Sequence, residues 1–214
     1  MRRGKITKRD LIQFEKKLVY LFKRGAIDCP IHLCGGNESV LIDIFKRINA
    51  DDYVFSTHRN HYHYLLHTGN FDELLDEILG RCGGALCNGQ SRSMHTIDVK
   101  HKFYSSAIVA GCVSIACGVG LALKMKRSKQ HVYCFIGDGA CDSGFTTEAI
   151  RYATSNDLPI TYIIEDNDRS VATSKKQRWG TGDIQLDVMN GPNVIYYKYK
   201  AKYPHVGVSK WVTF

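Results

Sequence analysis

Apolar residues recur at helical spacing over residues 7–23, where Leu11, Phe14, Leu18, Leu21 and Phe22 form one stripe and lysines occupy the other face. Residues 29–37 read as a loop. A second amphipathic helix then turns Val40, Leu41, Ile44, Phe45 and Ile48 inward. The stretch 55–67 (FSTHRNHYHYLLH) follows neither the helical nor the strand period and reads as irregular. Asp72 is placed to cap a short helix carrying Leu74, Leu75, Ile78 and Leu79. Residues 80–94 are rich in Gly, Ser and Asn, which predicts a long loop, and long loops within compact domains tend to be functional. The density of Ala, Gly, Ser and Val over 105–124 suits a helix lying close on a sheet.

The clearest pattern follows. Residues 132–136 (VYCFI) form a short apolar run, the signature of a strand buried on both faces. Phe145, Ala149, Ile150 and Ala153 mark a helix starting near Asp142 or Ser143, Pro159 ends the connection, and 160–164 (ITYII) is a second buried strand. Strand, helix and strand imply a right-handed crossover and a parallel pair. A further strand is read in VIYYKYK. The fold class is therefore α/β, a mostly parallel sheet with helices on both faces, expected as one domain over 1–214 with a basic N-terminal helix. No internal repeat and no low-complexity linker interrupts it.

Composition changes little in that picture. At 214 residues, 44% hydrophobic, the chain can build one well-packed domain, and two would each be small. No apolar run approaches the ~20 residues that cross a bilayer, and the basic start lacks the apolar stretch of a secretory signal, so a cytoplasmic location is expected. The net charge of +8 is concentrated at the ends. Residues 1–24 hold nine Lys/Arg against Asp10 and Glu15, 198–214 add four lysines and no acid, and the middle is left at −3. A nucleic-acid groove needs basic residues on the folded core, so no nucleic-acid partner is expected. Among the eight cysteines, Cys29, Cys34, Cys82 and Cys87 with His32 nearby could assemble a zinc site, but scattered cysteines in a reducing compartment are usually small core residues.

Both predicted strands end in unusual residues, Gly137-Asp138-Gly139 and Glu165-Asp166-Asn167-Asp168. Adjacent parallel strands would bring Asp138 and Asn167 side by side at their carboxyl edge, where open α/β sheets bind ligands. A dinucleotide turn is disfavoured. It needs a third glycine where Asp142 stands, and Asp138 would face a pyrophosphate, a like-charge contact costing at least ~1 kcal/mol even in water. A divalent cation between the two reverses the sign. Magnesium takes hard oxygen ligands and is held by one or two protein groups plus phosphate oxygens. Asp138, Asn167 and a backbone carbonyl just beyond supply such a set, and the two glycines let the chain approach phosphate closely.

The run GDGACDSGFTTEAIRYATSNDLPITYIIEDND resembles the thiamine diphosphate motif, which opens with GDG and closes with an asparagine after a helix and a strand. The closer likeness is to the alpha subunit of the dehydrogenase component of 2-oxo acid dehydrogenase complexes. HLCGGNESV near residue 32, VFSTHRNHYHYLL near 54, SRSMH near 91 and SSAIVAGCVSIACGVG near 105 match that family in order, over most of residues 11–175. The resemblance implies that Asp138 and Asn167 are magnesium ligands and that Arg169 contributes its backbone carbonyl. It implies that Gly137 opens the motif, and that Gly139 and Ala140 touch the diphosphate through N–H groups at a helix start. Arg59 matches the arginine that grips the phosphates, with His58 standing where the family usually has tyrosine. Ala107 and Val109 match positions lying against the aminopyrimidine. His95 and His205 match substrate-side, catalytic histidines, the latter in a setting (YPHVG) that departs from the family. His61, His63 and His67 read as structural. After Gly182 the sequence reaches GPNVIYYKYK where the family has several further helices, so this resembles a member with a shortened C-terminal region.

The resemblance implies one half of a two-subunit enzyme that cleaves or transfers an acyl or ketol group from a 2-oxo acid, with thiamine diphosphate and magnesium as cofactors. A beta-like partner would bring the pyrimidine-binding domain and its carboxylate, as an alpha2beta2 assembly. The motifs leave open an oxidoreductase of the dehydrogenase or decarboxylase type or a transketolase-like transferase acting on a ketose. A scaffold that keeps the fold without the cofactor is the non-enzymatic alternative.

Overall fold

The structure, a computed structural model, describes residues 6–83, 86–180 and 191–208. In chain order its elements are α1 (Lys8–Lys23), α2 (Glu38–Phe45), β1 (Tyr53–Ser56), α3 (His61–Thr68), α4 (Phe71–Ile78), β2 (Ile97–Asp98), β3 (Phe103–Ser105), α5 (Gly111–Met125), β4 (Val132–Gly137), a single 3-10 turn (Asp138–Ala140), α6 (Gly144–Ser155), β5 (Ile160–Asp166), β6 (Arg169–Ser170), β7 (Thr173–Ser174), α7 (Lys175–Trp179) and β8 (Val194–Lys198). These sort into two compact units, residues 1–50, 58–105 and 201–214 in the first, and 51–57 and 106–200 in the second.

The first unit is mainly helical. Thr7 begins α1 with a capping box, its hydroxyl accepting from the Asp10 N–H while the Asp10 carboxylate accepts from the Thr7 N–H. The inward stripe buries Leu11, Phe14 and Leu18 as the spacing predicts, while Leu21 and Phe22 are half-buried. In α2, Leu41, Ile44 and Phe45 go inside and Val40 stays exposed. The expectation of irregular chain over 55–67 is corrected. Strand β1 runs to Ser56, and α3 begins at His61. This helix is buried from His61 through His67, so it has no polar face from which a period could be read. The helix expected to be capped by Asp72 instead starts after Asn70, with Asp72 in its first turn.

The long loop after α4 is organised by one carboxylate. Buried Glu77 accepts backbone N–H groups from Cys87 at 3.0 Å, Gly89 at 2.9 Å, Ser91 at 2.8 Å and Arg92 at 3.2 Å. Farther on, Asn60 donates to the Ser93 carbonyl at 2.8 Å and accepts from the Thr96 hydroxyl at 2.9 Å, while His61 Nε2 lies 2.9 Å from Ser93 Oγ. The SRSMH segment is thereby fastened to the start of α3.

The second unit is α/β, with four parallel strands in the order β1-β4-β5-β8 flanked by helices. Strand β4 carries Val132, Cys134, Phe135 and Ile136 into the core, and β5 carries Ile160, Tyr162, Ile163 and Ile164, so the apolar runs are the buried centre of the sheet. Helix α5 starts at Gly111, six residues later than the 105–124 density suggests; Ala110 precedes it in the left-handed region at φ 56°. The VIYYKYK run forms β8. Of the eight free cysteines, six are buried, including Cys134 at the sheet centre. No helix among the described residues is long and apolar enough to cross a membrane.

Candidate functional site

Strands β4 and β5 pair in parallel from Val132↔Ile160 to Gly137↔Glu165. The chain leaves β4 in the 3-10 turn that begins at Asp138, and leaves β5 after Asp166. Register therefore puts Asp138 in step with Asp166, with Asn167 one residue beyond. Asp168 adopts φ 60°, a left-handed conformation that an aspartate tolerates, and this swings Arg169 back towards the sheet edge. The Arg169 N–H then donates to both Asp138 Oδ2 at 3.1 Å and Asn167 Oδ1 at 3.0 Å. The carboxylate and the amide oxygen thus converge on one point, and their separation cannot exceed the sum of those two distances.

Asp138 is buried, and its carboxyl is pushed up to about 7, first by burial and then by the charge of Asp166 and a hydrogen bond with it. Asp166, also buried, is held below the usual carboxylate range by hydrogen bonds from Lys175 and Tyr196, which outweigh its burial, and by the Asp168 N–H. Lys175 Nζ lies 2.5 Å from Asp166 Oδ2, with both side chains nearly inaccessible. Protonation of Asp138 is thus favoured beside a lysine-paired neighbour that stays ionised. Two carboxyls and one amine leave the pocket short of positive charge whenever Asp138 ionises. Sequence reasoning named neither Asp166 nor Lys175 as a site residue. Asp166 was visible in the acidic run, but Lys175 opens a basic segment (KKQR) that reads as solvated.

The donors suit magnesium: a carboxylate and an amide oxygen are hard ligands, and an ion there would replace the proton on Asp138. The turn after β4 is closely packed at one glycine and open at the other. A Cβ on Gly139 would lie 3.1 Å from Ser170 Oγ, so only glycine sits easily there, and one on Gly137 would enter open space. Ala140 is buried. Ala107 and Val109 lie on the segment before α5, with Ile108 and Val109 largely exposed.

The remaining predicted residues belong to the first unit. Arg59 donates to the Leu33 carbonyl at 2.6 Å and to the His205 carbonyl at 3.4 Å. His58 and His205 stand beside His32, with ring centroids 4.7 Å apart for His32–His58, 4.8 Å for His32–His205 and 5.2 Å for His58–His205. Sequence reasoning saw His32 only as a neighbour of cysteines. Burial pushes His32 down to about 3 and His205 down to about 4, and holds His58 well below its ordinary value. His95 is half-buried in the loop before β2 and is not one of this trio.

The family model described as dehydrogenase E1 component matches residues 7–186. The alpha subunit of acetoin:2,6-dichlorophenolindophenol oxidoreductase from Bacillus subtilis is 35% identical over 161 residues, covering 75% of this chain and 48% of that protein. The pyruvate dehydrogenase E1 component subunit alpha of Rickettsia conorii is 36% identical over 196 residues, covering 84% of this chain and 59% of that protein. The corresponding Rickettsia prowazekii subunit is 33% identical over 193 residues, with 84% and 59% covered. The chain spans about half the length of the curated relatives it matches.

Proposed function

The chain belongs to the dehydrogenase E1 component family, and from that premise we propose that it is the alpha-type subunit of a thiamine diphosphate-dependent enzyme acting on a 2-oxo acid. The observation that carries this reading is the convergence of Asp138 Oδ2 and Asn167 Oδ1 on the Arg169 N–H. Asp138, Asn167 and the Arg169 carbonyl would hold magnesium, with the Gly139 and Ala140 N–H groups turned to the diphosphate. When bound, the coenzyme supplies the carbon nucleophile that opens the 2-oxo acid. The protein's part is to hold that coenzyme. Asp138 would release its proton to solvent on taking up the metal, Lys175 keeps Asp166 ionised and fixed, and Tyr196 braces it from β8.

For His58 and Arg59 as phosphate contacts, and His95 and His205 as substrate-side groups, the support is the motif likeness alone. A beta-type subunit completing the enzyme is part of the same proposal, as are an alpha2beta2 arrangement and a cytoplasmic location. Ile108, Val109 and Ile115 are more than half exposed around the start of α5, apolar surface suited to a protein partner. Names of relatives that include both pyruvate and acetoin enzymes favour the oxidoreductase reading over the transketolase-like one.

A thermal-shift titration tests the binding step, on the chain alone and with a co-expressed beta-type subunit. At a ligand concentration 100 times Kd the gain is about 2.7 kcal/mol, roughly 5–10 °C in Tm for a chain of this size. Thiamine diphosphate with magnesium should produce it, NADH should not, and Asp138→Ala should abolish it. Absence of any shift in both preparations would overturn the reading.

A further inference from the structure

Tyr196 and Tyr197 lie on β8 and Tyr199 just beyond it, and each holds one of three consecutive residues where β5 ends. Register sets Tyr196 opposite Ile164 and Tyr197 opposite Glu165. The Tyr196 hydroxyl donates to Asp166 Oδ2, the Tyr197 hydroxyl donates to Glu165 Oε1, and Asn167 Nδ2 donates to the Tyr199 hydroxyl at 3.4 Å. Alternation along a strand explains how the three are shared out. Tyr197 and Tyr199 take one face, with ring centroids 5.9 Å apart, and meet Glu165 and Asn167, which are also two residues apart. Tyr196 meets Asp166 on the other face. The Tyr199 N–H donates to the Asp166 carbonyl at 2.8 Å, so the backbone carrying the third tyrosine is itself fixed to the end of β5.

We propose that Tyr199 is a positioning residue of the metal site: by accepting a hydrogen bond from the Asn167 NH2 it fixes which end of that amide is turned to the Asp138 carboxylate. The inference rests on the magnesium reading of Asp138 and Asn167. An amide has one end that accepts and one that donates, and only the oxygen can ligate magnesium. Oδ1 accepts from the Arg169 N–H at 3.0 Å while Nδ2 is engaged by Tyr199, so both ends of the side chain favour the same orientation. A magnesium ion would draw Oδ1 towards itself and off the Arg169 N–H. The bond from Nδ2 to Tyr199 lies at the far end of the amide and survives that shift. It is then the contact that keeps the oxygen aimed at the ion. A carboxylate at position 167 would need no such help, because its two oxygens are equivalent.

Manganese(II) shares magnesium's preference for oxygen ligands, and its binding is read from the loss of its free-ion EPR signal. It is titrated with thiamine diphosphate present, into the full chain alone and with a co-expressed beta-type subunit. Tyr199→Phe keeps the ring beside Tyr197 and removes only the hydroxyl. It should weaken manganese binding about fivefold, the worth of one neutral hydrogen bond. Asn167→Asp supplies the discriminating background: there Tyr199→Phe should change the affinity by less than about twofold, since no amide remains to be oriented. An unchanged affinity in Tyr199→Phe overturns the positioning role while leaving the coenzyme reading in place. So does an equal loss in both backgrounds, which would mark a general effect on the fold. A parent chain that binds no manganese in either preparation overturns both. Should Tyr199→Phe not fold, proton–nitrogen NMR of the unaltered chain decides. The Asn167 NH2 pair, identified by its absence in Asn167→Asp, should exchange with water more slowly than a solvated amide, and exchange at the solvated rate overturns the proposal.

Discussion

Replacing Asp138 by Asn should make the metal-free chain more stable at pH 8, although it removes a residue central to the proposed function. A carboxyl moved from 3.8 to about 7 resists ionisation by about 4 kcal/mol, at roughly 1.4 kcal/mol per tenfold change in proton affinity. Because the folded-state value is raised, this group's contribution to stability is full below about pH 4 and is lost as pH climbs to about 7. At pH 8 the whole penalty is present. Asparagine has no charge to desolvate, keeps an oxygen for the Arg169 N–H, and can donate its amide to Asp166. Burying that amide costs about 1–2 kcal/mol of its own. The net gain is therefore about 2–3 kcal/mol, or roughly 5–10 °C in Tm at this chain length. Urea denaturation followed by circular dichroism, at steps from pH 5 to pH 8 with magnesium chelated, measures it. The variant's advantage should be largest at pH 8 and shrink steadily as pH falls. An Asp138→Asn chain less stable than the parent at pH 8 would refute the reasoning.

Other outcomes follow from the same geometry. Lys175→Met strands the buried Asp166 charge and should cost about 3 kcal/mol or more, with Asp166→Asn in the same chain restoring part of it, both read by denaturant unfolding. Magnesium and thiamine diphosphate binding should be flat above about pH 7 and weaken up to tenfold per unit below it, because Asp138 must lose its proton first; Kd measured against pH checks this. Glu77→Gln sets an amide NH2 against backbone N–H donors that now share a carboxylate. It should destabilise by about 3 kcal/mol and speed proteolysis within residues 86–92.

The sheet centre was legible because VYCFI and ITYII are apolar without interruption, and a run buried on both faces needs no period to be recognised. At their termini, Asp138 and Asn167 stand out as paired polar residues at the carboxyl edge of adjacent parallel strands, where open α/β sheets bind ligands. Helix α3 was not legible. Its seven residues from His61 to His67 are all buried, histidines and tyrosines included, so the polar face that marks a surface helix is absent. Lys175 was hidden by its neighbours, since only the fold shows that the first lysine of KKQR turns inward to Asp166 while the next stays outside. The grouping of His32, His58 and His205 lay beyond sequence reading. Positions 32, 58 and 205 are joined only by tertiary packing, although the motif likeness marks His58 and His205 individually.

The decisive measurement is a crystal structure grown with thiamine diphosphate and magnesium, including the beta-type subunit if binding requires it. One ion should lie about 2.1 Å from an Asp138 carboxylate oxygen, the Asn167 amide oxygen and the Arg169 carbonyl, with diphosphate oxygens completing its octahedron. Coenzyme bound with Asp138 still turned to Asp166, or an ion held without Asn167, would contradict the account.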